Sequence, residues 1–181
     1  MKRAILPALM IALLCACSSP EELEENFNHW RHEVENVSLR AQVTISHDEH
    51  VGEYELGCDY SPEETVIEIL APENLKGIKA TKRGEDTQLE YDDLIVSLGE
   101  VDGITPATAV PMLLDTIREG YVDMCYTEKA NDDELLAVQF SPENGVTIHL
   151  WLTNDNVPLS AEFESDSQAG IKIAITDWNL G

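Results

Sequence analysis

From Val37 the chain alternates between apolar and polar residues. Val37, Leu39, Ala41, Val43 and Ile45 are interleaved with Ser38, Arg40, Gln42, Thr44 and Ser46, a period of two that predicts a strand with one wet face. Tyr54, Leu56, Cys58 and Tyr60 repeat the pattern against Glu53, Glu55 and Asp59. Thr65 to Ala71 is apolar on both faces around Glu68, and Ile78 to Arg83, Thr87 to Tyr91 and Leu94 to Leu98 read as shorter strands. Five more follow at Tyr121 to Thr127, Leu135 to Phe140, Val146 to Leu152, Leu159 to Glu164 and Ile171 to Trp178. Connections dense in Gly, Asn, Asp, Ser and Pro separate them.

Two segments break this period. Leu23, Phe27, Trp30 and Val34 fall at helical spacing behind Ser19 and Pro20, an N-cap followed by a first-turn proline, with Glu21, Glu22 and Glu24 favoured by the helix dipole. Thr105 to Gly120 carries Val110, Leu113, Leu114 and Ile117 on one stripe, with Asp115, Arg118 and Glu119 elsewhere. Pro111 inside that stretch predicts a bent element, because an interior proline costs a helix about 3 kcal/mol. Gly120 is the expected cap. The resulting fold class is mainly β (α+β): a single curved antiparallel sheet of about eleven strands, with an N-terminal helix and a mid-chain helix on its concave face. Inward-facing Leu39, Val43, Tyr54, Leu56, Ile67, Val138, Ile148 and Leu150, with Val110, Leu114 and Ile117 of the helix, either fill that face or line a cavity for a hydrophobic ligand.

The first residues concern location. Lys2 and Arg3 precede an apolar run, Ala4 to Leu14, shorter than the roughly 20 residues of a membrane span and shaped like an export signal. It ends in Leu14-Cys15-Ala16-Cys17, which resembles a bacterial lipobox with Cys17 as the acylated cysteine. The expected organisation is a leader over residues 1–16, the lipidated cysteine and tether over 17–22 and one domain over 23–181. Two acyl chains suffice to anchor such a chain to an envelope membrane. Cleavage would also remove Lys2 and Arg3, making the formal charge still more negative than −24. That surface should repel nucleic acid and anionic lipid head groups alike; the apolar concave face and the anchor make a lipid or acylated ligand and the membrane the expected partners. A monomer is expected. With Cys15 in the leader and Cys17 acylated, only Cys58 and Cys125 remain, and an isolated pair in an exported domain is more often bridged than free. The strand phases disagree, however, which keeps two separately buried thiols as the alternative.

Motifs for chemistry are missing. There is no Gly-rich phosphate loop, G-x-S-x-G elbow or zinc-protease helix motif, so no catalytic residue, metal site or cofactor is assigned and the chain is read as a non-enzyme. His29 with His32, and His47 with His50, could each offer two metal ligands, but read more simply as polar residues on a helix and a turn. The acidic stretch from Asn131 to Glu134 lacks calcium-loop spacing and reads as a solvated turn.

Several local patterns occur together in order: Leu70-Ala71-Pro72-Glu73 before Gly77-Ile78, Leu89-Glu90-Tyr91-Asp92, Thr105-Pro106 with Pro111, and Gly120-Tyr121. Leu150-Trp151, Pro158-Leu159 with Ala161-Glu162, and Thr176-Asp177-Trp178 follow. With the order of elements, these resemble the LolA/LolB-like lipoprotein carriers, and most of all small LolA-like lipoproteins of clostridial bacteria. The resemblance implies an eleven-stranded half-barrel closed by helices, with an apolar concave surface that binds acyl chains in the manner of a carrier or receptor. An interaction or envelope-sensing module with a filled core is the alternative use of the same fold.

Overall fold

The computed structural model describes residues 19–47, 50–99, 105–131, 133–141, 145–165 and 170–181. Cys17 and the leader lie outside them. Eleven antiparallel strands form one open sheet: β1 (Val37–His47), β2 (His50–Tyr60), β3 (Thr65–Ala71), β4 (Lys79–Arg83), β5 (Asp86–Tyr91), β6 (Leu94–Gly99), β7 (Val122–Ala130), β8 (Asp133–Phe140), β9 (Val146–Leu152), β10 (Pro158–Ser165) and β11 (Gly170–Leu180). Their order is β6-β5-β4-β3-β2-β1-β11-β10-β9-β8-β7. Two meanders therefore meet where the first strand pairs with the last, Val43 opposite Ile173 and Leu39 opposite Trp178. Helix α1 (Pro20–Trp30) precedes the sheet, and α2 (Pro106–Glu119) joins its two free edges, β6 and β7.

Register carries the alternation across the sheet. One row on the helix-covered face runs Trp178, Leu39, Cys58, Ile67, Ala80, Leu89, Val96, each opposite the next. Its counterpart on the other face runs Asp177, Arg40, Gly57, Glu68, Lys79, Glu90, a line of charges broken by one glycine. This separation of apolar and charged rows is what a strand period of two builds when one face is buried.

Both helices bury the predicted stripes. Ser19 caps α1 by accepting from the Glu22 N–H at 3.3 Å, and Pro20 stands in the first turn. Phe27, Trp30 and Val34 are buried, with Phe27 edge-on to Phe140 at 5.9 Å and Trp30 tilted against Trp178 at 6.5 Å. In α2, Thr105 and Thr108 form a reciprocal cap: the Thr108 N–H donates to Thr105 Oγ1 at 3.2 Å and the Thr105 N–H to Thr108 Oγ1 at 2.7 Å. The helix continues through Pro111 as one element. Burial of Val110, Leu113, Leu114 and Ile117 contributes about 1.5–3 kcal/mol each, which outweighs a single proline penalty of about 3 kcal/mol. Gly120 ends the helix in extended backbone (φ −63°, ψ 151°) rather than the left-handed cap expected of it. Its need is space, since a Cβ there would sit 2.5 Å from the Thr116 carbonyl oxygen.

Arg31, just after α1, holds the end of α2. Its Nε donates to the Arg118 carbonyl and its Nη1 to the Gly120 carbonyl, both at 3.0 Å, placing a cation on the negative end of the helix dipole.

The disulfide expected between Cys58 and Cys125 is not formed. Both are free and buried, on β2 and β7, which stand six places apart in the sheet. A bridge requires Cα atoms within about 7 Å, whereas adjacent strands are already about 4.8 Å apart. Each thiol instead packs as a small apolar side chain. We expect the chain from Ser18 onward, denatured without reductant, to titrate as two free thiols.

Burial also raises their pKa values, Cys58 from 9.0 to about 12 and Cys125 from 9.0 to about 11, while burial of Tyr60 raises its phenol from 10.0 to about 12. The unfolded chain loses these protons first, so their stabilising effect is complete below about pH 9 and disappears as pH rises toward about 12. Urea titration should therefore give a lower unfolding free energy at about pH 10.5 than at about pH 8.

Candidate functional site: an apolar cavity beside the start of α2

The interior is mostly filled. Leu39, Val43, Leu56, Val110, Leu114, Ile117, Val138, Ile148 and Leu150 are all buried in one core cluster, and Tyr54 packs against it half-buried. Of the cavity candidates read from the sequence, Ile67 lines an apolar gap, and among the described residues the others belong to or pack against the core cluster. The hydrophobic faces on which the expectation rested are there, but helix side chains occupy most of the space between them.

A gap remains near one edge. It measures about 230 Å³ and lies between the first turn of α2 (Thr105, Ala107, Thr108) and strands β3 to β6 (Ile67, Ala80, Lys82, Thr87, Leu89, Leu98). Its cause is steric. Ala80 in the apolar row and Ala107 on the helix carry only a methyl group each, and neither reaches across to the other side. Burial also fades along the row, from Leu39 at 3% exposed through Ile67 at 2% and Ala80 at 6% to Val96 at 41%. Tyr91 and Leu94 are opposite one another beyond it and are exposed, as is Leu98. The cavity thus continues into an apolar shelf at the β5–β6 edge. Dry apolar cavities of about 150 Å³ bind small hydrocarbons, whereas pockets for whole drug-sized ligands run from about 300 Å³. A stretch of hydrocarbon fits inside, with the remainder on the shelf.

Polar groups stand along one side. Tyr60 donates to Asp115 Oδ1 at 2.8 Å and accepts from Arg118 Nη1 at 3.1 Å, and Lys82 Nζ lies 3.3 Å from Asp115 Oδ2. This network ties the outer side of α2 to β2 and β4. The sequence pattern missed Ala80, Lys82, Thr87 and Ala107 as site residues; the available signal was that Ala80, Lys82 and Thr87 occupy inward positions of their strands without being large and apolar. A second hollow, about 400 Å³, opens on the opposite face where Gly57 leaves the charged row without a side chain. Arg40, Asp59, Glu68, Lys79 and Asp177 surround it, a lining unsuited to an apolar ligand.

Among the described residues, no three His, Cys, Asp or Glu side chains converge as metal ligands, and no helix is long and apolar enough to cross a membrane.

No protein-family model matches the sequence, and no curated protein matches it either. Solved structures do. An uncharacterized conserved protein from Thermus thermophilus is 10% identical at a TM-score of 0.53, over 87% of this chain and 88% of that one. A DUF1329 family protein from Desulfovibrio piger is 10% identical at a TM-score of 0.53, over 90% and 94%. A LolA superfamily protein from Nitrosomonas europaea is 13% identical at a TM-score of 0.47, over 91% and 94%. The structural neighbours include the LolA superfamily. The architecture expected from the order of elements is the one observed: an open eleven-stranded antiparallel sheet with helices at the N-terminus and mid-chain. At these identities the likeness concerns fold alone, and it does not bear on closeness to clostridial lipoproteins.

Two substitutions distinguish packed from open space. Leu114→Trp, in the filled part, is expected to destabilise by about 1–3 kcal/mol through overpacking. Ala107→Leu, directed at the gap, should change stability by less than about 1 kcal/mol, as read from urea midpoints.

Proposed function

We propose that this protein is an envelope lipoprotein, anchored through acylated Cys17, that binds the hydrocarbon part of a lipid or acylated ligand in the cavity beside α2. The observation that carries this reading is that the apolar gap reaches exposed Leu98, on the strand whose Leu94 and Val96 are exposed as well. A core that merely packs imperfectly would leave an enclosed void. Here the apolar surface runs outward, so a chain can enter without opening the sheet. Exposed apolar area of this kind has a free-energy cost in water that a bound chain relieves, at about 25 cal/mol per Å² covered.

The leader and lipobox support the anchor, and the fold supports a concave binding surface. The small volume favours holding one chain end over enclosing a whole lipid, a geometry suited to a carrier or receptor that must release its ligand.

The test is to express the chain from Ser18 onward and compare its native and denaturing mass spectra. A lipid mass present at one copy in the native spectrum and lost on denaturation is the expected result, with Ala107→Leu reducing its occupancy. A bare protein mass, together with failure to take up a fluorescent fatty acid, would overturn the lipid-binding reading.

A further inference from the structure

The face covered by the helices is not uniformly apolar. Beside the apolar row through Ile67, Ala80 and Leu89 runs a second inward row, Tyr60, Thr65, Lys82, Thr87, each opposite the next in register. Lys82 therefore shares its side of β4 with Ala80, and it is the one charged residue lining the cavity among the described residues. Lys82 lines the cavity while its ammonium reaches Asp115, so its charge stands at the rim of the apolar space.

Three further observations point the same way. Thr65 and Thr87, on either side of Lys82, are 5% and 9% exposed, and neither side chain makes a hydrogen bond among the described residues. Thr87 lines the cavity, and since no fully buried side-chain polar atom among the described residues lacks a partner, its hydroxyl is open to that space, with no partner among the described residues. The Lys82 ammonium has three N–H donors, and its 3.3 Å contact with Asp115 uses one. Asp115 meanwhile keeps the 2.8 Å bond from Tyr60, so it stays satisfied when Lys82 turns to another acceptor. Finally, the Lys82–Asp115 pair stands half in water, its side chains 41% and 50% exposed, so an incoming anion can reach the ammonium.

We propose that the ligand is an amphiphile with one hydrocarbon chain and an anionic head, carboxylate or phosphate, whose head is held by Lys82 and Thr87 while its chain occupies the gap between Ala80 and Ala107 and the shelf beyond. This rests on the lipid-binding reading above and specifies its ligand class. The two adjacent rows match the two halves of such a molecule. Lysine acts on the head as a point charge, which suits either anion, and the threonine hydroxyl donates a directed bond.

The experiment is calorimetric titration of the purified protein with decanoate, decyl phosphate and decanol, which share one chain and differ in the head. Both anions should bind at least about tenfold more tightly than decanol, and the tighter of the two identifies the head. Lys82→Met should abolish that preference while leaving decanol binding unchanged; Lys82→Arg, which keeps the charge, should retain it; and Thr87→Val should weaken the anions alone. Thermal melts of each variant check that it is folded. Equal binding of all three ligands, insensitive to Lys82→Met, would overturn the anionic head and leave the lipid-binding reading in place. No binding of any of them would overturn both.

Discussion

An open sheet of eleven strands exposes a concave apolar face that must be covered, and here one helix both covers it and connects its edges. The chain leaves the sheet at β6 and re-enters at β7, the two outermost strands, and α2 lies between them. Flat, eleven strands would span about 48 Å, whereas fourteen helical residues span about 21 Å. Curvature brings the edges toward a helix of that length, and the curved sheet then presents Leu56, Ile148 and Leu150 to the same stripe of leucine, valine and isoleucine. Arg31 on one side and the Tyr60–Asp115–Arg118 network on the other fix where the helix sits. The unfilled space follows from that placement. Below the middle of α2 the residues are large and meet; at its start, Ala107 does not fill the distance to β4.

The two halves of the sheet are unequal as a result. Strands β8 to β11 with α1 make a dense core of Phe27, Phe140, Phe163 and Leu152. Strands β3 to β6 are mostly shorter, carry smaller inward residues, and meet the first turn of α2 and, through Lys82, Asp115. The dense core and the open gap thereby lie at different ends of one sheet, which allows one end to stay partly open without loosening the other.

The fold was legible because its cues are local. Alternation such as Val146 to Leu152 predicts a strand and states which residues face inward, and the Thr105-Pro106 start predicts a helix wherever the strands go. Packing is less legible. Whether Leu39 or Ile148 lines a cavity or fills a core depends on what α1 and α2 place opposite, and strand period cannot report it. The cysteines illustrate the same limit: the isolated pair suggested a bridge, and only strand order puts β2 and β7 six places apart. Pro111 shows the reverse case, a correct local penalty overruled by the burial of the stripe around it. The site depended on residues that break the inward apolar pattern, and Lys82 is the one whose parity already carried the information.

The edge at β6 also has a consequence for how the protein behaves in bulk. Leu94-Ile95-Val96-Ser97-Leu98-Gly99 has no charged residue, its outer backbone has no partner strand among the described residues, and Leu94 and Ile95 are 64% and 65% exposed. Such an edge templates pairing with another copy, a bimolecular event whose rate rises with the square of concentration. What opposes it is repulsion between molecules of formal charge −24, and that repulsion has a range of about 10 Å at 0.1 M salt and about 3 Å at 1 M. The acidity of this chain then acts as a colloidal guard for one strand, and added salt, which leaves the fold alone, removes the guard.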